Sequence, residues 1–271
     1  MRRGKWRPIL PYVLAALTLI LAAVFAPLIV PHDPYAQELS AALMPPDASH
    51  ILGTDRYGRG VFSRVLMGGQ TTLLSTLALV AAVAVFGSVL GASAGFFGGW
   101  IDTVLMRISD VFLAFPALVF AVAAAGALGG GLFHAALALA VVGWPKYARI
   151  SRSLTLSIRS MAYMTAAQMA GTGQVQMLVR HILPNIAGPI LVTAALDIGT
   201  VAMELAGLSF LGLGAAPPTA EWGAMMANGR SMIQTAPWVI LAPGAALFLS
   251  VAIFNLLGDK LRDVLDTRRQ G

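Results

Sequence analysis

Cysteine is absent from the 271 residues of the chain, and charged residues make up only 11% of it. Without thiols, the protein can form no disulfide, no thiolate metal site and no cysteine nucleophile. The low charge excludes a soluble domain of this length, whose surface would need far more. Hydrophobic residues reach 58% of the sequence, and the mean hydropathy is +0.78. The composition therefore predicts an all-α protein that crosses a membrane several times.

Motifs typical of enzymes are also missing from the sequence. There is no GxxxxGK[ST] loop, so the chain has no cradle of that kind for ATP phosphates. Serine and histidine occur without a recognisable nucleophile elbow or triad. We therefore expect no catalytic residue, no enzyme activity and no cofactor in this chain.

The four histidines are scattered, with no pair four residues apart, so no dedicated metal site is expected in this chain. Two of them flank a long polar loop and could meet a delivered metal complex. Solvated loop histidines are the simpler interpretation of these two. The loop pair is His32 and His50, and the others are His134 and His181.

Six apolar stretches predict six transmembrane helices, because each approaches the roughly 20 residues needed to cross the hydrocarbon. They cover about 9–30, 72–97, 109–129, 132–149, 186–212 and 237–257. The first follows a basic tail and could be a signal peptide. Its best small exit residue, Ala26, is followed by Pro27, so we expect an uncleaved first helix.

The distribution of Lys and Arg predicts the orientation. With a cytoplasmic N-terminus, fourteen of the 18 fall inside and four outside, as the positive-inside rule requires. Both termini are then cytoplasmic, and the net charge of +6 needs no nucleic-acid partner. The chain divides into 1–71 (tail, first helix and external loop), a transmembrane core at 72–257 with a cytoplasmic loop at 150–185, and a cytoplasmic tail at 258–271. The outside residues are Arg56, Arg59, Arg64 and Arg230.

Two local patterns predict short helices outside the spans. Apolar residues at helical spacing in 58–70 are consistent with a helix on the outer surface. The run 163–184 predicts a helix–turn–helix in which Gly171 ends the first helix in the left-handed geometry. Gln174 to His181 restarts a helix, and Pro184 stops it before the next span. An ordinary cytoplasmic loop with weak helix content is the alternative.

The 163–184 run resembles the EAA loop of ATP-binding-cassette (ABC) importer permeases, whose pattern is Glu-Ala-Ala, three residues, Gly, and an ending Ile-x-Leu-Pro. Thr165 replaces the Glu and His181 the Ile, so a charged contact to a motor subunit could be missing. The matching residues are Ala166, Ala167, Gly171, Leu183 and Pro184.

Four further stretches resemble the dipeptide, oligopeptide and nickel branch of that family. They are LGTDRYGRGVFSR (52–64), GFFGGWIDTVLMRISDVFLAFP (95–116), AGLSFLGLGAAPPTAEWGAMM (206–226) and FNLLGDKLRDVLD (254–266). In the stretch 52–64, Gly60 replaces the Asp that is usual in this branch.

The resemblance implies a type I ABC importer permease fold in the bacterial inner membrane. The implied partners are a second homologous permease, two ATP-binding subunits that hold ATP and magnesium, an extracytoplasmic binding protein and membrane lipid. Thr165 to Pro184 would couple the motor to the spans. LDIG (196–199) and TAEWG (219–223) look most like the nickel permease subunit, which favours nickel or a metal chelate over di- or oligopeptides.

Two acidic residues lie inside the fifth predicted span. Asp197 and Glu204 are seven residues apart and therefore share a helix face. Since acidic side chains at membrane depth are costly, they could line a path that attracts a cation. Alternatively, they lie near a membrane surface or pair with the partner permease. An ion-coupled secondary transporter and a non-transporting scaffold are the rival functions, although no strong internal repeat supports the first.

Overall fold

A computed structural model describes residues 9–265 of the protein, and this part is helical with no strand. The basic residues of the two tails outside that range, which the orientation argument used, are not among the described residues. Single 3₁₀ turns occur at Leu39–Ala41 and Arg230–Met232, and a π-helical turn at Leu178–Ile182. The α-helices are α1 (Leu10–Val24), α2 (Ala26–Ile29), α3 (Val61–Phe97), α4 (Gly99–Leu113), α5 (Ala117–Ala127), α6 (Leu132–Arg159), α7 (Ala162–Met169), α8 (Gln174–Met177), α9 (Leu183–Phe210), α10 (Trp222–Gly229) and α11 (Trp238–Leu265).

Several of these helices can cross a membrane. Within residues 9–265, three are long and apolar enough: Val61–Phe97, Gln174–Phe210 and Trp238–Leu265. The pair α4 and α5, bent by 88°, gives a fourth if it forms one broken span. The predicted spans 9–30 and 132–149 correspond to α1, only 15 residues long, and to α6, whose second half is polar. The all-helical membrane class is confirmed, and the number six stays a prediction.

Helix α3 lies at the centre of the bundle and contacts α1, α4, α6, α9 and α11. It meets α6 along a row of glycines spaced four residues apart, which is the spacing of one helix face. A Cβ built at Gly91 would lie 2.0 Å from the Ala148 carbonyl oxygen. Gly87 and Gly95 face α6 in the same way. A Cβ built at Gly87 or Gly95 would lie 2.5 or 2.9 Å, respectively, from the nearest carbonyl oxygen of α6. The missing side chains therefore let the two backbones touch, as small residues do between membrane helices.

The helix predicted at 58–70 is present from Val61 onward, but it is not a separate helix on the outer surface. Its residues from Val61 onward are the first turns of α3, which runs without a break to Phe97. Val61 is fully buried, against Ala236 and Val239. Val61, one of the apolar residues that suggested a surface helix, is instead buried where the start of α3 meets the start of α11. Residues 31–60 and 213–236 close over this end of the bundle, and we call it the loop end.

Candidate functional site

The 163–184 segment is an ordered helix–turn–helix, as its sequence predicts. Helix α7 ends at Met169, and Gly171 follows with φ of +83°. The Thr172 N–H donates to the Ala167 carbonyl at 3.1 Å, and the Gly171 N–H donates to Gln168 at 3.0 Å. These two bonds form a complete Schellman motif, which satisfies carbonyls that the helix end leaves free. The turn between α7 and α8 is therefore fixed by backbone geometry.

One side of the segment is anchored in the core, and the other is exposed. Met164 and Met177 are buried, with 2% and 5% of their surface accessible. They join the main apolar cluster beneath the segment. On the opposite side, Met169 is 85% exposed and Val175 is 70% exposed. Thr165 and Ala166 are exposed and Ala167 is half-buried, so the small side chains leave the outer surface of α7 accessible.

The prediction that Pro184 stops the second helix is wrong. The helix continues from Gln174 through Pro184 to Phe210. Leu183 and Pro184 open α9 directly after the π-helical turn Leu178–Ile182. Pro184 has no N–H to donate to the preceding turn, so the hydrogen-bond ladder is interrupted at this point. The wider π turn accommodates the break in the hydrogen-bond ladder. Any movement of α8 therefore passes into a membrane-spanning helix without a hinge loop.

His181 and Thr165, the two residues that differ from the EAA-loop pattern, lie close to other residues of the chain. The His181 ring lies 6.3 Å from the Tyr163 ring, between centroids. The Asn185 side-chain amide donates to the His181 carbonyl at 2.6 Å and to the Tyr163 hydroxyl at 3.4 Å. His181 therefore helps to hold α7 against the start of α9. Thr165 and Arg159 both line a cleft of about 250 Å³ that the end of α3 and α7 also border.

Three cations of helix α6, spaced three residues apart, each pair with an acid of a neighbouring helix. Arg152 makes a two-pronged contact with Asp102 of α4, with Nη2 2.6 Å from Oδ2. Arg149 pairs with Asp110 near the other end of α4. The side chains at 149 and 152 lie on one face because they are three residues apart. These pairs hold the bent α4–α5 pair against α6.

The third of these cations reaches the predicted acidic pair. The Lys146 ammonium lies 2.5 Å from Asp197 Oδ1. The Asp197 side chain is 13% exposed, and that of Lys146 is 51% exposed. Glu204 is half-buried two turns along α9, and within residues 9–265 no side chain donates a hydrogen bond to it. Asp197 is therefore paired with a cation inside the chain, whereas Glu204 has no such hydrogen-bonded partner among the described residues.

At the loop end, a buried carboxylate ties α10 to α3. Glu221 is fully buried and caps α10, accepting from the Gly223 and Ala224 N–H groups at 3.0 and 2.8 Å. Thr72 of α3 donates its hydroxyl to the same carboxylate at 3.1 Å. Burial raises the pKa of the Glu221 carboxyl, although the Gly223 and Ala224 hydrogen bonds act in the opposite direction. Through these hydrogen bonds, Glu221 holds the TAEWG stretch against α3.

Arg59 and Arg64, near the start of α3, also form contacts within the chain. Arg59 pairs with Asp55 at 2.7 Å, and both side chains are almost fully buried. Arg64 donates to the Pro34 carbonyl at 2.8 Å and lies 3.6 Å from Asp55. The LGTDRYGRGVFSR stretch is therefore an ion-paired loop that leads into the first turn of α3.

Apolar helices long enough to span a membrane, with an exposed helix–turn–helix leading directly into one of them, define an integral membrane protein. Comparison with known proteins gives the family. The chain matches the model of binding-protein-dependent transport system inner membrane components over residues 87–271, more than half its length, and belongs to that family. It is an inner-membrane ABC importer permease of the dipeptide/oligopeptide/nickel branch. This excludes the secondary transporter and the scaffold as the class.

Three relatives show how similar this chain is to members of the branch. The chain is 45% identical to the probable D,D-dipeptide transport system permease protein DdpC of Escherichia coli K12, covering 93% of this chain and 85% of that protein. It is 42% identical to the nickel transport system permease protein NikC of the same organism, covering 97% and 95%. It is 41% identical to the dipeptide transport system permease protein DppC of Alkalihalophilus pseudofirmus, covering 92% and 82%.

Sequence reasoning missed the partners of the residues it selected. Lys146 entered only as one cation in the orientation count, and Glu221 only as a letter in a family-like stretch. A lysine inside a predicted span and an acid directly before a helix start were the available signals. The helix assignment cannot supply the pairing, because Lys146 and Asp197 are 51 residues apart.

Proposed function

We propose that this chain is one half of the translocation path of an ATP-driven importer, with six spans and both termini in the cytoplasm. The charges support this orientation. Arg59 and Arg64 at the loop end are buried and bound to Asp55 or backbone carbonyls, so they add little free positive charge there. At the other end, α6 carries Arg159 toward the exposed 163–184 segment. Free basic groups favour the cytoplasmic side.

In this proposal, the 163–184 segment receives the motion of two ATP-binding subunits. The observation that carries it is the contrast between buried Met164 and Met177 and exposed Met169 and Val175 on the same rigid segment. An exposed apolar surface held by a buried anchor is suited to docking another protein. Since α8 continues into α9, a push on the segment reaches the span that contains Asp197. Thr165, Ala166, Ala167, Gly171, Leu183 and Pro184 would form or support this contact.

The remaining partners follow from the same reasoning. A second, homologous permease would complete the path, and lipid would surround the pair. An extracytoplasmic binding protein would deliver the substrate at the loop end. ATP and magnesium would bind to the motor subunits, because this chain has no phosphate-binding loop of the GxxxxGK[ST] type.

Gly171 gives a direct test of the coupling role. A Cβ built there meets nothing within 4 Å, so a large side chain would project outward, where the motor subunit would dock. In the reconstituted complex, we expect Gly171→Trp to keep ATP hydrolysis and lose uptake. Gly171→Asn is the matched control, since asparagine tolerates the left-handed geometry and adds little bulk. Full transport by the Gly171→Trp complex would rule out the coupling role.

For the substrate, we propose nickel or a metal chelate. The supporting observation is the match to the nickel permease over almost the whole of both chains. On this proposal, Asp197 and Glu204 lie along the path, with Glu204 as the acid available to a passing cation. A di- or oligopeptide is the second candidate, favoured by the 45% identity to a permease described as a probable D,D-dipeptide transporter. Uptake measurements with both substrates separate these candidates.

A further inference from the structure

Two histidines that are distant in sequence meet at the loop end. The ring centroids of His32 and His50 lie 5.1 Å apart, at an angle of 52°. The His32 backbone N–H donates to the Ser63 hydroxyl at 3.3 Å, next to the start of α3. The His50 N–H donates to the Asp47 carboxylate at 2.5 Å, and the His50 carbonyl accepts from Gly53 at 2.7 Å. Both rings are therefore attached to an ordered backbone.

One of these rings has an unused nitrogen. His50 Nδ1 is buried and has no hydrogen-bond partner among the described residues. A Cβ built at Gly60 would lie 3.5 Å from that nitrogen, so the glycine leaves the adjacent space without a side chain. Gly60 has φ of −62° and ψ of 118°, a geometry that any residue can adopt. An imidazole nitrogen buried without a partner is rare in native structures and indicates a missing partner.

The spacing of the rings suits a shared metal ion. Two imidazoles that bind one ion at about 2.1 Å, with a roughly tetrahedral angle between them, have centroids about 5 Å apart. Each ring offers two nitrogens, and only one from each is needed. The observed centroid separation of 5.1 Å matches that spacing.

The surroundings limit what could bind. The two rings line a cleft of about 150 Å³ that also contains the Ser49 and Ser63 side chains but no acidic residue. Within residues 9–265, no three His, Cys, Asp or Glu side chains are close enough to form a complete metal site. Imidazole suits zinc, copper and nickel, whereas magnesium and calcium prefer oxygen ligands. Two protein ligands alone leave the other coordination positions open.

We propose that His32 and His50 form a two-imidazole site for a divalent transition-metal ion, whose other positions are taken by water or a small chelator. Such a site exchanges its ion readily because the protein supplies only two ligands. It is separate from the 163–184 segment and from Asp197, and it does not rest on the identity of the transported substrate.

The test measures nickel binding to the complex of this chain with its second permease and ATP-binding subunits, in nanodiscs, without the binding protein. All subunits carry purification tags that lack histidine. We compare the wild type with His32→Ala, His50→Ala and the double variant by equilibrium titration with Ni²⁺. His134→Ala is the matched control, because His134 already contacts the Gly130 carbonyl at 2.6 Å. Sites on the partner chains contribute equally to every sample.

We expect the double variant to bind one fewer nickel ion, each single variant to bind that ion at least tenfold more weakly, and His134→Ala to match the wild type. Excess magnesium should not compete. A second readout uses only the wild type: Ni²⁺ should protect His32 and His50, but not His134, from carbethoxylation detected by mass spectrometry. Equal nickel binding in the wild type and the double variant, or no protection of the pair, would overturn the site. Since the assay needs no transport, its result is independent of the coupling proposal.

Discussion

The Lys146 ammonium lies 2.5 Å from Asp197 Oδ1 and joins α6 to α9 within the bundle. The acid that the sequence offered as a free charge on the path thus has its own counter-ion. A charged group in an apolar span is tolerated when it is paired. Because Lys146 is half exposed and Asp197 is not, removing the lysine affects the acid more than the reverse change affects the lysine.

Replacing the lysine should therefore be the more harmful single change. We expect Lys146→Met to lower the stability of the detergent-solubilised complex by about 1–2 kcal/mol, since it leaves Asp197 nearly buried and unpaired. The double variant Lys146→Met/Asp197→Asn should recover part of that loss. Thermal unfolding of both single variants and the double variant gives the coupling energy. Strictly additive effects would show that the pair contributes nothing, and Lys260→Met, at an exposed pair, serves as the control.

The acidic pair also gives a transport prediction. If Asp197 and Glu204 attract a cationic substrate along the path, replacing both with Asn should reduce uptake of a metal substrate at least tenfold. ATP hydrolysis and the uptake of a neutral peptide should change much less. A variant at the exposed Glu38, Glu38→Gln, controls for the general loss of negative charge. Unchanged metal uptake by the Asn pair would remove these residues from the path.

The contact between α3 and α6 should be intolerant of side chains. In Gly91→Leu the new Cβ would collide with the Ala148 carbonyl, because the built position is only 2.0 Å from that oxygen. The helices would have to separate, and we expect a loss of at least about 3 kcal/mol or failure to assemble. Gly188→Ala, where nothing lies within 4 Å, should be close to neutral. Assembly is measured by size-exclusion chromatography, and a stable Gly91→Leu protein would contradict the close approach.

Glu221 should be a structural acid of the loop end. Its replacement by Ala leaves the Gly223 and Ala224 N–H groups and the Thr72 hydroxyl without their acceptor. We expect a loss of about 2–4 kcal/mol, since buried donors without partners are costly. Thr72→Val tests the same contact from α3 and should cost less, because the cap of α10 remains. The comparison uses thermal unfolding, and a neutral Glu221→Ala variant would be incompatible with this role.

Much of the fold was accessible from the sequence. Hydropathy gave the membrane class, and Gly171 with its neighbours gave the helix–turn–helix, because both depend on local patterns. Pro184 and the 58–70 stretch were misjudged because their outcome depends on what precedes or covers them. A π turn before Pro184 lets the helix continue, and burial of Val61 turns a surface helix into the start of a span.

The candidate site was less accessible, because its contacts join distant residues. The sequence selected Asp197 but not Lys146, and it placed His32 and His50 at opposite ends of one loop. Only the folded chain brings those rings to 5.1 Å. Ion pairs between helices depend on rotation and depth, which residue spacing within a single helix does not determine.

The most direct test of the account is ATP-driven uptake by the reconstituted complex, with its binding protein. Radiolabelled nickel would be supplied with and without excess dipeptide, and with chelators such as free histidine. The account predicts nickel accumulation that requires ATP, is unaffected by dipeptide and is lost in Gly171→Trp. Robust dipeptide uptake with no nickel accumulation under any chelator would contradict the metal assignment and move the chain to the peptide importers.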